Sequence, residues 1–211
     1  MERTVTGPWD VTVAVATFGS EKWADLARRR AIPSAEALRV PVVHCHDLTL
    51  HDARNGALAM VETEFVCFLD ADDELEAEFF TEIFKATADL RAPAVRYVRN
   101  GRLNTSAMPR VAGHLHACEP ACLEYGNWLV IGTVVRADLI RRVGGWRDYA
   151  VYEDYDLWVR CWQAGATIES VPAAIYRAHV RPDSRNRAPS QSIKHSTHQQ
   201  IALANGLPVP A

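Results

Sequence analysis

At 211 residues, with 48% hydrophobic and 23% charged side chains, the chain is long enough for one well-buried domain and short for two. A formal charge of −3 gives no global attraction to nucleic acid or to an anionic membrane, and no apolar run reaches the length of an integral membrane segment. Residues 1–10 lack the hydrophobic core of a signal peptide, which predicts a cytoplasmic protein. The cysteines, Cys45, Cys67, Cys118, Cys122 and Cys161, are odd in number and scattered, unlike a disulfide framework.

Residues 11–16 alternate and then run apolar, predicting a strand that ends at Thr17-Phe18-Gly19-Ser20. Residues 22–37 have helical composition, with Trp23, Leu26 and Ala27 on one face and Pro33 placed to end or kink the helix. A strand is expected over 40–43 and a short helix over 53–61. Residues 65–69 read as a buried strand, being short, apolar and aromatic-rich. A helix over 76–90 follows, with Phe79, Phe80, Ile83 and Phe84 inward, and then a strand over 94–98.

From 99 to 126 periodicity fails, and a loop that long in a compact domain is usually functional or mobile. Residues 128–135 read as a strand and 137–143 as a short helix stopped by Gly144-Gly145. Residues 155–164 read as a helix with Trp158, Cys161 and Trp162 inward. Short strands are expected over 167–171 and 174–177, broken by Pro172. Residues 181–192 are polar and read as flexible, and 193–204 as a terminal helix. The alternation predicts an α/β fold, a mostly parallel central sheet with helices on both faces. Ligands of such sheets bind at the carboxyl ends of the strands.

One of those ends is crowded with charge. Asp70, Asp72, Asp73, Glu74 and Glu76 follow directly on the run Phe65-Val66-Cys67-Phe68-Leu69. Carboxylates this close repel one another unless a positive group sits among them. A divalent cation taking oxygen ligands, Mn²⁺ or Mg²⁺, is one such group; a solvated acidic turn capping the next helix is the alternative.

Three segments in order resemble the inverting family 2 glycosyltransferases of the GT-A fold, over roughly residues 10–187. They are Ala53-Arg54-Asn55-Gly56-Ala57-Leu58 with Glu64 through Asp73; Trp128 through Trp146 with Glu153-Asp154-Tyr155-Asp156-Leu157-Trp158; and Tyr176-Arg177-Ala178-His179 with Ser184. The resemblance implies a single GT-A-like domain over 1–187, followed by a flexible segment and C-terminal helix over 188–211. It implies a metal-dependent enzyme moving a sugar from a nucleotide-sugar donor to an acceptor hydroxyl. Asp72 would be the metal ligand, Asp70 would contact the donor ribose or the metal, Asp73 could substitute for either, and His179 would add a metal or diphosphate contact. Arg54 would help hold the nucleotide diphosphate, while Thr17, Phe18 and Asp47 fall at the donor-binding strand ends. Glu153-Asp154 matches the family's acidic pair, whose Asp is the catalytic base. A helix starting near Tyr155 would favour the ionised form of Asp154 through its dipole, although Asp is also a preferred N-cap.

The chain departs from that family where relatives carry an acidic pair that grips the nucleoside base. Here the residues are His44-Cys45-His46-Asp47, so Asp47 is the candidate for that contact. The chain is also short for the family, which predicts a trimmed acceptor side and no membrane-anchoring extension. Zinc ligation by His44, Cys45, His46 and His51, or by His114, His116, Cys118 and Cys122, is disfavoured by spacing that matches no zinc set. A sugar-phosphate nucleotidyltransferase would need a Gly-rich, Arg-containing loop after the first strand, which Thr17 to Lys22 does not supply. A catalytically inactive nucleotide-sugar-binding module is the remaining alternative. Arg181, Arg185, Arg187 and Lys194 form a local basic tail, read as a solvated run rather than a nucleic-acid site. Polysaccharide, lipid carrier, protein and small metabolite all stay open as acceptor, as does the oligomeric state.

Overall fold

Short apolar runs form the buried core strands. β1 (Val11–Phe18) lies between β2 (Val42–Asp47) and β3 (Phe65–Leu69), parallel to both. In this computed structural model, residues 9–99, 101–103, 120–124, 126–181 and 189–209 are described. The eight-stranded sheet runs β2-β1-β3-β7 (Val134–Arg136)-β5 (Leu90–Arg99)-β8 (Ile168–Val180)-β4 (Glu74–Leu75), with β6 (Arg102–Leu103) paired to β5. The expected parallel order holds for β2-β1-β3 and for β5 beside β8. β7 and β4 run antiparallel to their neighbours, so the sheet as a whole is mixed.

Helices α1 (Glu21–Arg29), α2 (Ala31–Glu36) and α3 (Leu50–Ala59) belong to the parallel half of the sheet. α1 starts at Ser20, whose hydroxyl accepts the Lys22 amide, and Thr49 does the same for α3 by accepting from Asp52, each satisfying an otherwise orphaned donor. The break between α1 and α2 falls at Arg30, ahead of Pro33, which sits in the first turn of α2, where its missing N–H costs nothing.

Three expected elements differ. The helix over 76–90 is only α4 (Phe79–Ile83). Beyond it Ala86, Ala88 and Leu90 are buried in strand-like alternation, and Asp89 and Thr167 exchange hydrogen bonds that hold the chain extended. The strand over 128–135 shrinks to β7, because a turn from Val130 to Thr133 precedes it. Gly132 is required in that turn: a Cβ there would lie 2.1 Å from the ring of Tyr176. Pro172 does not divide the last strand. Val171 pairs with Pro93 and Ile175 with Ala94, so Pro172, Ala173 and Ala174 form a bulge that needs no ladder donor.

α5 (Ala137–Arg142) and α6 (Glu153–Gln163) follow β7, and α7 (Gln191–Ala204) closes the chain. α7 is packed on the body rather than loose: Ile201, Ala202 and Leu207 join the core, and Asn205 donates to the buried carboxylate of Asp156 at 3.0 Å. The expected boundary near residue 187, most of the 99–126 loop, Ser184, and the Arg185 and Arg187 of the basic tail lie outside the described residues. Among the described residues no helix is long and apolar enough to cross a membrane.

Candidate active site

The strand register sets the site. Thr17 pairs with His46, Phe18 with Asp47, and Val15 with Leu69, so the ends of β1, β2 and β3 open side by side at one edge.

At the end of β3 the chain turns sharply, the Asp73 amide donating to the Asp70 carbonyl at 3.1 Å. The three aspartates of this turn have different environments. Asp73 is buried; Tyr176 donates its hydroxyl to Oδ2 at 2.7 Å and the His179 amide donates to Oδ1 at 2.7 Å. Burial, then the charges of Asp72 and Asp70, hold its carboxyl well above the usual range. Asp73 thus pins the turn to β8. Asp70 and Asp72 keep side chains 43% and 20% exposed. Burial first, then Asp70, pushes Asp72 up to about 6. Arg30 donates to the Asp72 carbonyl at 2.9 Å, and Arg181 lies 3.9 Å from its carboxylate.

The His179 ring turns to Glu74 instead, Nε2 lying 2.6 Å from the carboxylate. Among the described residues no group of three or more His, Cys, Asp or Glu side chains forms a metal cage. Two adjacent carboxylates without a full protein cage match the way Mg²⁺ and its like are held, by one or two carboxylates and substrate phosphates. The donor set fits such an ion.

Arg54 is the hub of the site. Its guanidinium is buried, donates to Glu153 at 2.5 Å and to Asp70 at 3.1 Å, and lies 4.4 Å from the centre of the Trp146 ring. Burial opposes its charge, but Glu153, Asp70 and Asp154 outweigh it and raise its pKa. Trp146 is held edge-on to Phe68 at 4.9 Å, and its backbone is clasped by Asn55 through two hydrogen bonds of 2.9 and 3.0 Å. Gly145 sits at φ +71°, where a Cβ would meet Asn55 Oδ1 at 2.5 Å, so the clasp needs glycine.

α6 begins two residues earlier than the sequence suggests, with Tyr152 as N-cap in the left-handed region at φ 62° and no side-chain cap. Asp154 is therefore inside the first turn and is not the cap. Its Oδ1 accepts from the Tyr155 amide at 2.8 Å and its Oδ2 from Asn127 at 3.0 Å. Glu153 is turned inward onto Arg54.

Thr17 is buried, its hydroxyl 2.9 Å from His44 Nε2 and 2.9 Å from His46 Nδ1. Burial, then Arg28 and His46, lowers the pKa of His44. Thr17 braces the two strand ends, and alternation sends Cys45 to the opposite face, against Gly56. Phe18 lines a cleft of about 230 Å³ together with Leu48, His51, Arg147, Tyr149 and Glu153, a size that suits a small ligand moiety. Asp47 is exposed beside it.

Arg54, Asp70, Asp72 and the Glu153-Asp154 pair, all candidates from the sequence, are brought together by the fold. Trp146, Tyr176 and Asn127 have no role assigned from the sequence. The first two stand inside the quoted motifs, whereas Asn127 carries no signal, because its contact depends on a loop of irregular path.

Residues 65–206, more than half of the chain, match the family model for glycosyl transferase family group 2. The chain belongs to that family. This glycosyltransferase-family domain has a fold similar to that of S. aureus TarS. TarS 1–349 in complex with UDP-GlcNAc aligns over 92% of this chain and 65% of that one, at 16% identity and a TM-score of 0.66. TarS 1–349 in complex with UDP aligns over 92% and 64%, at 18% identity and a TM-score of 0.56. The domain thus spans less than two thirds of the length of these TarS chains. No curated protein matches it in sequence.

Proposed function

We propose that this domain transfers a sugar from a nucleotide-sugar donor to an acceptor hydroxyl, with inversion at the anomeric carbon. The observation that carries the reading is the convergence of Asp70, Asp72, Arg54, Glu153 and Asp154 at the carboxyl edge of β1 and β3. Family membership supports it, as does the similarity to a fold seen with UDP-GlcNAc.

In this reading the cleft between Phe18 and Tyr149 receives the nucleoside base, with Asp47 at its rim. Asp70 and Asp72 present oxygen ligands at the diphosphate end. A divalent cation, Mn²⁺ or Mg²⁺, held there would offset the charge of the departing diphosphate. Arg54 keeps Asp70 and Glu153 in fixed relation, and Glu153 acts through Arg54. Asp154 accepts the proton of the acceptor hydroxyl as its oxygen bonds to the anomeric carbon and the bond to the diphosphate breaks. His179 serves the turn through its backbone and Glu74 through its ring.

Thermal-shift titration with UDP, GDP, dTDP and CMP, each with Mn²⁺ or with EDTA, tests the donor site. A metal-dependent rise in melting temperature for one nucleotide, absent in Asp72→Ala, is the expected result. No rise with any nucleotide at millimolar concentration contradicts the reading.

A further inference from the structure

We infer that Asn127 is a positioning residue for Asp154, its side-chain amide fixing the direction from which that carboxylate meets the acceptor hydroxyl. The inference rests on Asp154 being the base. Asn127 Nδ2 donates to Asp154 Oδ2 at 3.0 Å, and Asn127 Oδ1 accepts from the Leu129 amide at 3.1 Å. The second bond determines the first: a flipped amide would set its oxygen against a carboxylate and its NH₂ against an N–H. The other oxygen, Oδ1, accepts the Tyr155 amide at 2.8 Å. One end of the carboxylate is thus tied to its own helix and the other to a separate segment.

That segment is itself anchored to α6. Tyr155 donates its hydroxyl to the Leu123 carbonyl at 2.6 Å, and Leu123 and Leu129 are buried on either side of Asn127. The amide therefore reaches Asp154 from a packed support.

Its chemistry suits the task. Arg54 already lends positive charge on the α3 side and Glu153 negative charge from the same turn. A neutral amide donor restrains the carboxylate through one directed hydrogen bond without setting a second cation beside it.

The test is steady-state release of UDP from UDP-GlcNAc, with water as acceptor, in a double-mutant cycle of Asn127→Ala and Asp154→Asn. Asn127→Ala is expected to lower kcat by about 10- to 100-fold, the scale set by misplacing a reacting group. The KM for UDP-GlcNAc stays within about twofold, since donor binding is not involved. In the Asp154→Asn background Asn127→Ala costs nothing further, because both changes act on one group. Asn127→Asp keeps the shape and sets two carboxylates together; it loses more kcat than Asn127→Ala at neutral pH and regains part of it as pH rises. An Asn127→Ala effect of equal size in both backgrounds, or no effect on kcat, overturns the role of Asn127. Where wild type binds UDP, turnover no faster than that of Asp154→Asn overturns the base assignment itself, and the inference with it.

Discussion

Arg54 on α3 and Glu153 on α6 form a buried ion pair of 2.5 Å that spans ninety-nine positions of sequence. With Asp70 as second partner and Trp146 as platform, the pair joins the acidic turn after β3 to the first turn of α6. Truncation leaves Glu153 buried without its cation. Arg54→Ala is expected to destabilise the domain by about 3–5 kcal/mol, read as a lowered midpoint in urea. A loss below about 1 kcal/mol, the scale of an exposed pair, would contradict a structural hub.

Tyr176 and Asp73 hold the acidic turn from below. Tyr176→Phe keeps the ring that packs on Gly132 and removes the hydroxyl that donates to Asp73 and accepts from the Asp70 amide at 3.4 Å, leaving both short of a partner at a cost of about 1–3 kcal/mol. The same substitution is expected to weaken metal-dependent nucleotide binding, because the turn carries Asp70 and Asp72. Calorimetric titration with UDP and Mn²⁺ checks this; unchanged affinity alongside lowered stability would separate the turn from the donor site.

Much of this arrangement was legible in the sequence, and the reasons are local. Asp70 to Asp73 follow a five-residue apolar strand whose direction the alternation sets, so their place at the sheet edge could be read directly. Arg54 and Glu153 each stand in a short motif, although their contact could not be read, because an ion pair between two distant helices depends on packing. The helix expected over 76–90 failed for a tertiary reason: the exchange between Asp89 and Thr167 joins residues far apart in sequence. The bulge at Pro172 likewise depends on the partner strand. The resemblance offers Asp73 as a substitute ligand, and only the positions of Tyr176 and the His179 amide make it a structural anchor.

Gly145 gives a cleaner test of backbone geometry. Gly145→Ala adds a Cβ in the left-handed region and 2.5 Å from Asn55 Oδ1. It is expected to lose about 1–3 kcal/mol, and to lower nucleotide affinity as Trp146 shifts beneath Arg54. Gly144→Ala, also at positive φ but with no atom within 4 Å of the added Cβ, should bear the strain alone. Equal losses in the two variants would argue against the Asn55 clasp.

Acid stability should depend on Asp89. Burial works to raise its pKa, but hydrogen bonds from the Thr167 amide and hydroxyl and from Arg136 outweigh it, leaving the carboxyl below its ordinary value. A depressed carboxyl contributes stability above its unfolded pKa of about 3.9 and loses it as pH falls through the folded value. Asp89→Asn should therefore be clearly less stable than wild type at pH 6, with the gap narrowing towards pH 3. Urea midpoints at the two pH values measure this, and a gap that does not change with pH would rule the linkage out.

Whether Asp154 is the base of a nucleotide-sugar transferase is read most directly in the nucleotide released from the donor whose nucleotide gives the metal-dependent thermal shift, by wild type and by Asp154→Asn. Release by wild type is expected to be metal-dependent and to fall by about 10²- to 10⁴-fold in the variant, while nucleotide binding persists in both. Donor binding with no release above the level of Asp154→Asn would contradict it and leave a binding module in its place.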